Sequence, residues 1–351
     1  MAHELFRAIG TADIVTFTFL DAVPDYYDDT SWVHDGFQAF DDQQREATRD
    51  LLAAISDFAN ITFVEVASAN EATLTFGFAD TGGTMGVVQS PMDGGIGTIG
   101  NDIWLAAYAA NEAFVGGTFI FSTLMHEIGH TLGMGHPSIT ELPLEENNRQ
   151  HTVMSGLDPI SLGYEPETYM LYDIATLQYI YGANTASATG NDVYTFADFG
   201  SKLKTIWDAG GHDVFDLSAA TYGVDIDLRQ GEFSTVDPWG SNNLAIAFGT
   251  VIEDALGGAY DDRIVGNDSA NILTGGGGVD IFGFAEYWGN DTITDFVRGE
   301  DRLDVSEAGL TFAKLNITSS GGDTVISYGG DSVTLLGVVA IDDSDFFVFV
   351  A

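Results

Sequence analysis

Cysteine is absent from the chain, prolines number only seven and basic residues only eleven among 351. Without thiols no disulfide can restrict the unfolded chain, and no sulfur can close a structural zinc site. Stability must then come from packing and from ions held by oxygen or nitrogen. Eleven Lys and Arg face 53 Asp and Glu, and the net charge of −42 repels polyanions, which excludes nucleic acid as a partner. Long apolar runs are missing as well. The most apolar region, Leu105 to Met125, is broken by Asn111, Glu112, Gly116 and Gly117, so no membrane span is expected. Met1 to Arg7 lacks the apolar core and small-residue cleavage site of a signal peptide, so export by a signal-peptide-independent route is the expectation.

What is present excludes disorder, because 45% hydrophobic and 12% aromatic residues supply enough apolar surface for packed cores. The acidic groups need neutralising, and calcium is the expected agent, a halophilic surface being the competing reading. The segment His126-Glu127-Ile128-Gly129-His130-Thr131-Leu132-Gly133-Met134-Gly135-His136 fits H-E-x-x-H-x-x-G-x-x-H without a mismatch. His126 and His130 share one helix face, about one turn apart. Gly133 lets the chain leave the helix through a left-handed conformation, so that His136 swings back as a third ligand. Three imidazoles with an open position are the catalytic zinc arrangement, and Glu127 beside them suits proton transfer in amide hydrolysis. An ordinary amphipathic helix with surface histidines would not require Gly133 and His136 at these spacings.

The extended motif resembles that of the metzincin metalloproteases, and Thr152-Val153-Met154-Ser155 is similar to their methionine turn, with Met154 beneath the zinc. Within them the chain most resembles the serralysins, secreted bacterial proteases with a calcium-binding C-terminal half. The resemblance implies an α+β fold: a metzincin-type catalytic domain with a mixed sheet and active-site helix, followed by an all-β parallel β-roll or β-sandwich domain. It also implies a tyrosine two residues after the turn methionine, where this chain has Gly156. Tyr164, Tyr169 and Tyr172 follow nearby, and packing is the favoured reading for all three. Activity is expected to survive with less help to the oxyanion.

In the first half, Ile14–Leu20 alternates like a strand and Asp41–Phe58 has helical periodicity, with Leu51, Leu52, Ile55 and Phe58 on one side. Ile61–Val66 and Ala72–Phe78 read as further strands, and the resemblance puts Ala72–Phe78 at the sheet edge above the cleft, where an extended peptide could pair. Gly82 to Gly97 reads as a long loop near the cleft, with no lysine and no phosphate-loop ending. A helix over Tyr172–Tyr181 closes this half, and the expected domains are 1–183 and 184–351.

The second half carries three imperfect nonapeptides of the type G-G-x-G-x-D-x-(apolar)-x, at 257–265, 266–274 and 275–283, with Ile264, Leu273 and Phe282 nine apart. In each, glycines such as Gly258 lend carbonyls, the sixth residue (Asp262, Asn271, Asp280) supplies a side-chain oxygen to calcium, and the apolar residue fills the roll. Asn271 is the departure, a neutral ligand. The resemblance adds a calcium loop at Asp208-Ala209-Gly210-Gly211-His212-Asp213 closed by Asn191 and Asp192, an acidic ligand at Glu253, and a terminal Asp-rich stretch with Asp291, Asp295 and Asp301. Asp345 to Ala351, an acid followed by apolar residues, resembles the uncleaved signal read by type I secretion.

The expected function is therefore a secreted zinc endopeptidase, a monomer acting on proteins or peptides, with one catalytic Zn2+ and several structural Ca2+. The rival is a calcium-dependent secreted binding protein with a vestigial zinc site, for which Gly156 is the supporting residue.

Overall fold

Alternation along β1 (Asp13–Phe19) buries Val15, Phe17 and Phe19, as a half-covered strand requires. The computed structural model describes residues 13–89, 101–138, 140, 142–158, 165–199, 202–238 and 242–346. They separate into two compact units, Met1–Ser187 and Ala188–Ala351. In the first, β2 (Ile61–Glu65), β1, β3 (Leu74–Ala79), β5 (Asn101–Ala106) and β4 (Gly86–Gln89) form one sheet in that order. All neighbours are parallel except β4, which runs antiparallel to β5. Helix α1 (Asp42–Phe58) packs on β2 and buries Leu51, Leu52, Ile55 and Phe58. Asp41 starts it with a capping box: its carboxylate accepts Gln44 N–H at 2.8 Å, and Gln44 Oε1 accepts Asp41 N–H at 2.9 Å.

One expectation is overturned. Strand β3 lies in the middle of the sheet, between β1 and β5, with all six of its residues buried. Phe76 and Phe78 pack with Phe40 on one side, while on the other a Cβ at Gly77 would stand 2.9 Å from the Trp104 ring. A strand covered on both faces belongs at a sheet centre. The edge beyond β5 is β4, inside the segment 82–97 expected to be loop, of which residues 90–97 lie outside the described residues. Helix α2 (Phe119–Thr131) packs against β4 and β5, and α3 (Leu171–Tyr181) stops at Gly182, whose φ is +86°.

The second unit winds as a roll. Strands β6 (Val193–Thr195), β8 (Val214–Asp216), β12 (Asp254–Leu256), β14 (Ile272–Thr274), β16 (Asn290–Ile293) and β20 (Asp331–Leu335) are parallel neighbours, extended antiparallel by β19 (Asp323–Tyr328) and β18 (Asn316–Ser320). The other parallel sheet holds β9 (Asp225–Asp227), β13 (Arg263–Val265), β15 (Ile281–Gly283) and β17 (Arg302–Asp304). A small third sheet joins β7 (Lys204–Ile206), β11 (Leu244–Ile246) and β10 (Phe233–Ser234).

Successive nonapeptides alternate between the two large sheets, so a full turn takes two of them. The register stacks Phe215, Ala255, Leu273 and Ile293 on one sheet and Ile226, Ile264, Phe282 and Leu303 on the other, all at most 1% exposed. At roughly 1.5–3 kcal/mol per buried large apolar side chain, these two ladders drive the winding. At the far end Arg298 donates to Asp342 and to the buried Asp345, which also accepts Gly299 N–H. Phe346 is buried against Phe312 and bridges to Leu303; residues 347–351 lie outside the described set. Among the described residues no helix is long and apolar enough to cross a membrane.

Candidate metal centre and calcium sites

Thr118 caps α2, whose last turns carry His126, Glu127 and His130. The helix ends at Gly133 with φ +99°, and Met134 N–H returns to Gly129 O at 3.0 Å. The reversal brings His136 back, with its Nε2 2.9 Å from that of His126 and 3.0 Å from that of His130. His126 Nδ1 donates to Val153 O at 2.8 Å and His130 Nδ1 to Met134 O at 3.0 Å. Those bonds place the ring proton on Nδ1, so each neutral ring turns a bare Nε2 lone pair inward. Burial keeps both neutral, pulling His126 down to about 4 and His130 below its ordinary value. Nitrogen lone pairs converging this closely repel one another unless a cation lies among them. The donor set, three imidazoles with no thiolate, fits zinc with a coordination position to spare.

Glu127 turns toward β4. The residue is 6% exposed, its carboxyl makes no hydrogen bond among the described residues, and burial raises it to about 7. An acid poised near neutrality can both take and return a proton. The room for it comes from Gly86, where a Cβ would stand 2.6 Å from Glu127 Cγ and Oε1. On the inner face of α2, a Cβ at Gly129 would stand 2.6 Å from Met154 Sδ, so the helix rests on the methionine without a gap. The turn under it is tied to α3. Asp173, fully buried, accepts Thr152 Oγ1 at 2.6 Å, Val153 N–H at 2.8 Å and Met170 N–H at 2.9 Å, while desolvation pushes it up to about 6. Val153 thus receives support from Asp173 at its N–H and gives it to His126 at its carbonyl.

Gly86, Gly129 and Asp173 were not anticipated. The glycines occupy unrestricted positions whose importance depends on what packs there, and Asp173 reads in sequence as an ordinary first-turn helix acid. Of the tyrosines, Tyr169 donates to Met125 O inside the core and Tyr172 to Glu146, so neither hydroxyl is directed to the histidines; Tyr164 lies outside the described residues. Among the described residues nothing lies within 4 Å of where a Cβ would stand at Gly156, which lines a cleft of about 220 Å³ with Met85, Phe119, Thr123, Arg149 and Glu127.

In the second unit Asp192, Asp208 and Asp213 offer oxygens within 4.8 Å of one another. Asp208 Oδ1 accepts Gly210 N–H, Asp213 Oδ1 accepts Asp192 N–H, and Glu253 Oε2 accepts Asp213 N–H. Gly211 lies in the same loop, while Asn191 spends its side-chain oxygen on His212 N–H. Asp213 Oδ2 is buried without a hydrogen-bond partner among the described residues. Burial, then the charges of Asp208, Glu253 and Asp192, raise Asp213 to about 6. An orphaned buried oxygen among three carboxylates fits a hard cation.

Along the roll the acids form a second ladder. Asp262 accepts Val224 N–H and Gly258 N–H, Asp280 accepts Asp262 N–H, and Asp301 accepts Asp280 N–H. Burial raises all three, Asp280 to about 6. Asp295 accepts Gly275 N–H and Gly276 N–H. Asp291 accepts Asn271 N–H, and burial pushes it up to about 8.

Two family models match: Matrixin over residues 37–153, and Peptidase M10 serralysin C terminal over residues 171–346. A serralysin of Photorhabdus luminescens is 34% identical over 89% of this chain and 76% of its own length. A metallopeptidase AprA of Pseudomonas marginalis is 31% identical over 98% and 83%, and a serralysin G of Dickeya chrysanthemi 33% identical over 93% and 80%. With both halves matched and the three histidines converged, the chain belongs to the serralysin family of secreted zinc metalloendopeptidases.

Proposed function

We propose that His126, His130 and His136 hold the catalytic zinc and that Glu127 carries the proton in peptide-bond hydrolysis. Zinc supplies Lewis acidity there, toward a water and toward the scissile carbonyl. Glu127 takes the proton as water attacks and delivers it to the departing amine, a double role suited to a carboxyl near neutral. Val153 and Met134 hold the histidine rings, and Asp173 holds Val153. The observation that carries this reading is the buried, unbonded Glu127 carboxyl beside three converged imidazole nitrogens. The vestigial-site rival keeps the three histidines but gives the Glu127 carboxyl no role.

The substrate backbone pairs with β4. Ala106 N–H binds Met85 O, so alternate residues Val87 and Gln89 face β5 while Gly86 and Val88 turn their backbone groups outward. An extended peptide there contributes hydrogen bonds regardless of its side chains. Calcium is held by Asp192, Asp208 and Asp213, and by the turns bearing Asp262, Asp280 and Asp301, which makes 1–183 the catalytic part and 184–351 the calcium-folded part. Export uses the type I apparatus, and the protein acts as a monomer. The test is Glu127→Ala: zinc content stays at that of wild type while casein hydrolysis falls by at least a hundredfold, and retained hydrolysis refutes the role.

A further inference from the structure

The nonapeptide 266–274 differs from its neighbours at two places at once. Its second and sixth residues are Asn267 and Asn271, where the flanking repeats have Gly258 with Asp262 and Gly276 with Asp280. In one respect Asn271 copies Asp262: its Oδ1 accepts the N–H of the second residue, Asn267, at 2.8 Å, as Asp262 Oδ2 accepts Gly258 N–H. The other terminal atom behaves oppositely. Asp262 turns its second oxygen to the preceding turn, where it accepts Val224 N–H. Asn271 turns an NH2 there, which donates to Glu253 O at 2.8 Å and to Asn267 Oδ1 at 3.0 Å.

Only this orientation of the amide works. Flipped, the NH2 would face the Asn267 backbone donor, and the oxygen would face two acceptors. Asn267 extends the same pattern, its Nδ2 donating to Ile252 O at 2.7 Å and Leu228 O at 3.1 Å. Three carbonyls of the preceding turns, Leu228, Ile252 and Glu253, are thus met by amide N–H groups. Both side chains are buried, Asn271 at 1% exposed.

We infer that the Asn267–Asn271 pair replaces a calcium ion, so that the layer between the Glu253 turn and the Asn271 turn is closed without metal. The residues between the Glu253 and Asn271 turns do not fit a cation; the buried Asp291 Oδ2, without a hydrogen-bond partner among the described residues, lies on the other side of Asn271, toward the Asp291 turn. Between the Glu253 and Asn271 turns a cation would meet the positive end of the Asn271 amide dipole, and the carbonyl oxygens it needs already accept hydrogen bonds. In this layer Asn271 is a cross-link between turns, and the calcium-binding layers are those lined by carboxylates.

The inference rests on the reading that the carboxylate-lined turns bind calcium, and one measurement separates the two. Calcium bound per chain is counted by equilibrium dialysis of the full-length protein, with calcium as the only probe. Asn271→Ala binds as many ions as wild type and unfolds at a lower temperature in saturating calcium. Asn271→Asp keeps the oxygen that accepts Asn267 N–H but sets a carboxylate oxygen against Glu253 O and Asn267 Oδ1, and gains one ion per chain. An Asn271→Ala protein that binds one ion fewer, or an Asn271→Asp protein that gains none, overturns the inference. Should Asn271→Ala fail to fold, Asn271→Asp alone decides. A wild-type protein that binds no calcium refutes the carboxylate reading instead, and the gain in Asn271→Asp still decides this one.

Discussion

Gly86 and Glu127 touch so closely that a single methyl group would separate the edge strand from the proton carrier. Gly86→Ala should displace the carboxyl and lower kcat by at least tenfold while zinc content is unchanged, a split that metal analysis beside casein kinetics reads directly. Gly129→Ala presses on Met154 instead, and overpacking of this kind costs about 1–3 kcal/mol, visible as a lower unfolding temperature. Glu127 also has a pH signature in the zinc-free protein. Its folded pKa of about 7 lies above the ordinary 4.5, so the folded state holds the proton more tightly, and that stability is lost as pH rises through 7. The Glu127→Gln variant has no such loss. Its advantage over wild type should be near zero at pH 4 and approach roughly 3 kcal/mol above pH 8, at about 1.4 kcal/mol per pKa unit; denaturant unfolding at the two pH values measures it, and a flat difference refutes it. The histidine positions are legible in sequence because helix period and a glycine exit fix where they point. Gly86 is not, since nothing in a glycine names the side chain that fills its missing volume.

At the scale of elements, the methionine turn depends on α3 through one buried acid. Asp173→Asn replaces an acceptor oxygen with a donor facing Thr152 or a backbone N–H, so it should cost about 1–3 kcal/mol and weaken zinc retention against a chelator, with His126 losing its support through Val153. Strand β4 offers a cleaner separation of binding from chemistry. Val88→Pro removes a backbone N–H that faces away from β5, so KM for an extended peptide should rise about fivefold with kcat little changed, the worth of one ~1 kcal/mol hydrogen bond. Equal KM values would mean that the peptide does not pair there. The misplacement of β3 has a definite cause: the pattern of Leu74-Thr75-Phe76-Gly77-Phe78-Ala79 suits a half-covered edge and a core strand alike, the resemblance tipped it to the edge, and only the Trp104 ring over Gly77 reveals a covered second face. Periodicity reports one face well and the other poorly.

For the whole molecule, charge and metal act together. With calcium held as proposed, its removal leaves the acids of the second unit facing one another, so a chelator should lower its unfolding temperature by about 10 °C or more, with calcium restoring it and monovalent salt restoring part. Calorimetry resolves that transition from the zinc-bearing one. The winding of the roll was legible in the nine-residue spacing of Ile264, Leu273 and Phe282, because each interior position repeats once per half-turn. The chemistry of each layer was less so. Asn271 occupies the place of a ligand by spacing, and which way its amide points is decided by Asn267 and Glu253, one near in sequence and one a turn away.

The buried end of the described chain has a consequence of its own. Asp345 is held by Arg298 and Gly299, and Phe346 is packed on Phe312, so a receptor that must grip these two residues cannot do so once the roll has closed over them. Recognition of that tail and completion of the fold compete for the same atoms. A receptor that binds Asp345 and Phe346 would therefore act as an unfoldase by mass action, and whatever stabilises the closed roll would oppose it by the same linkage.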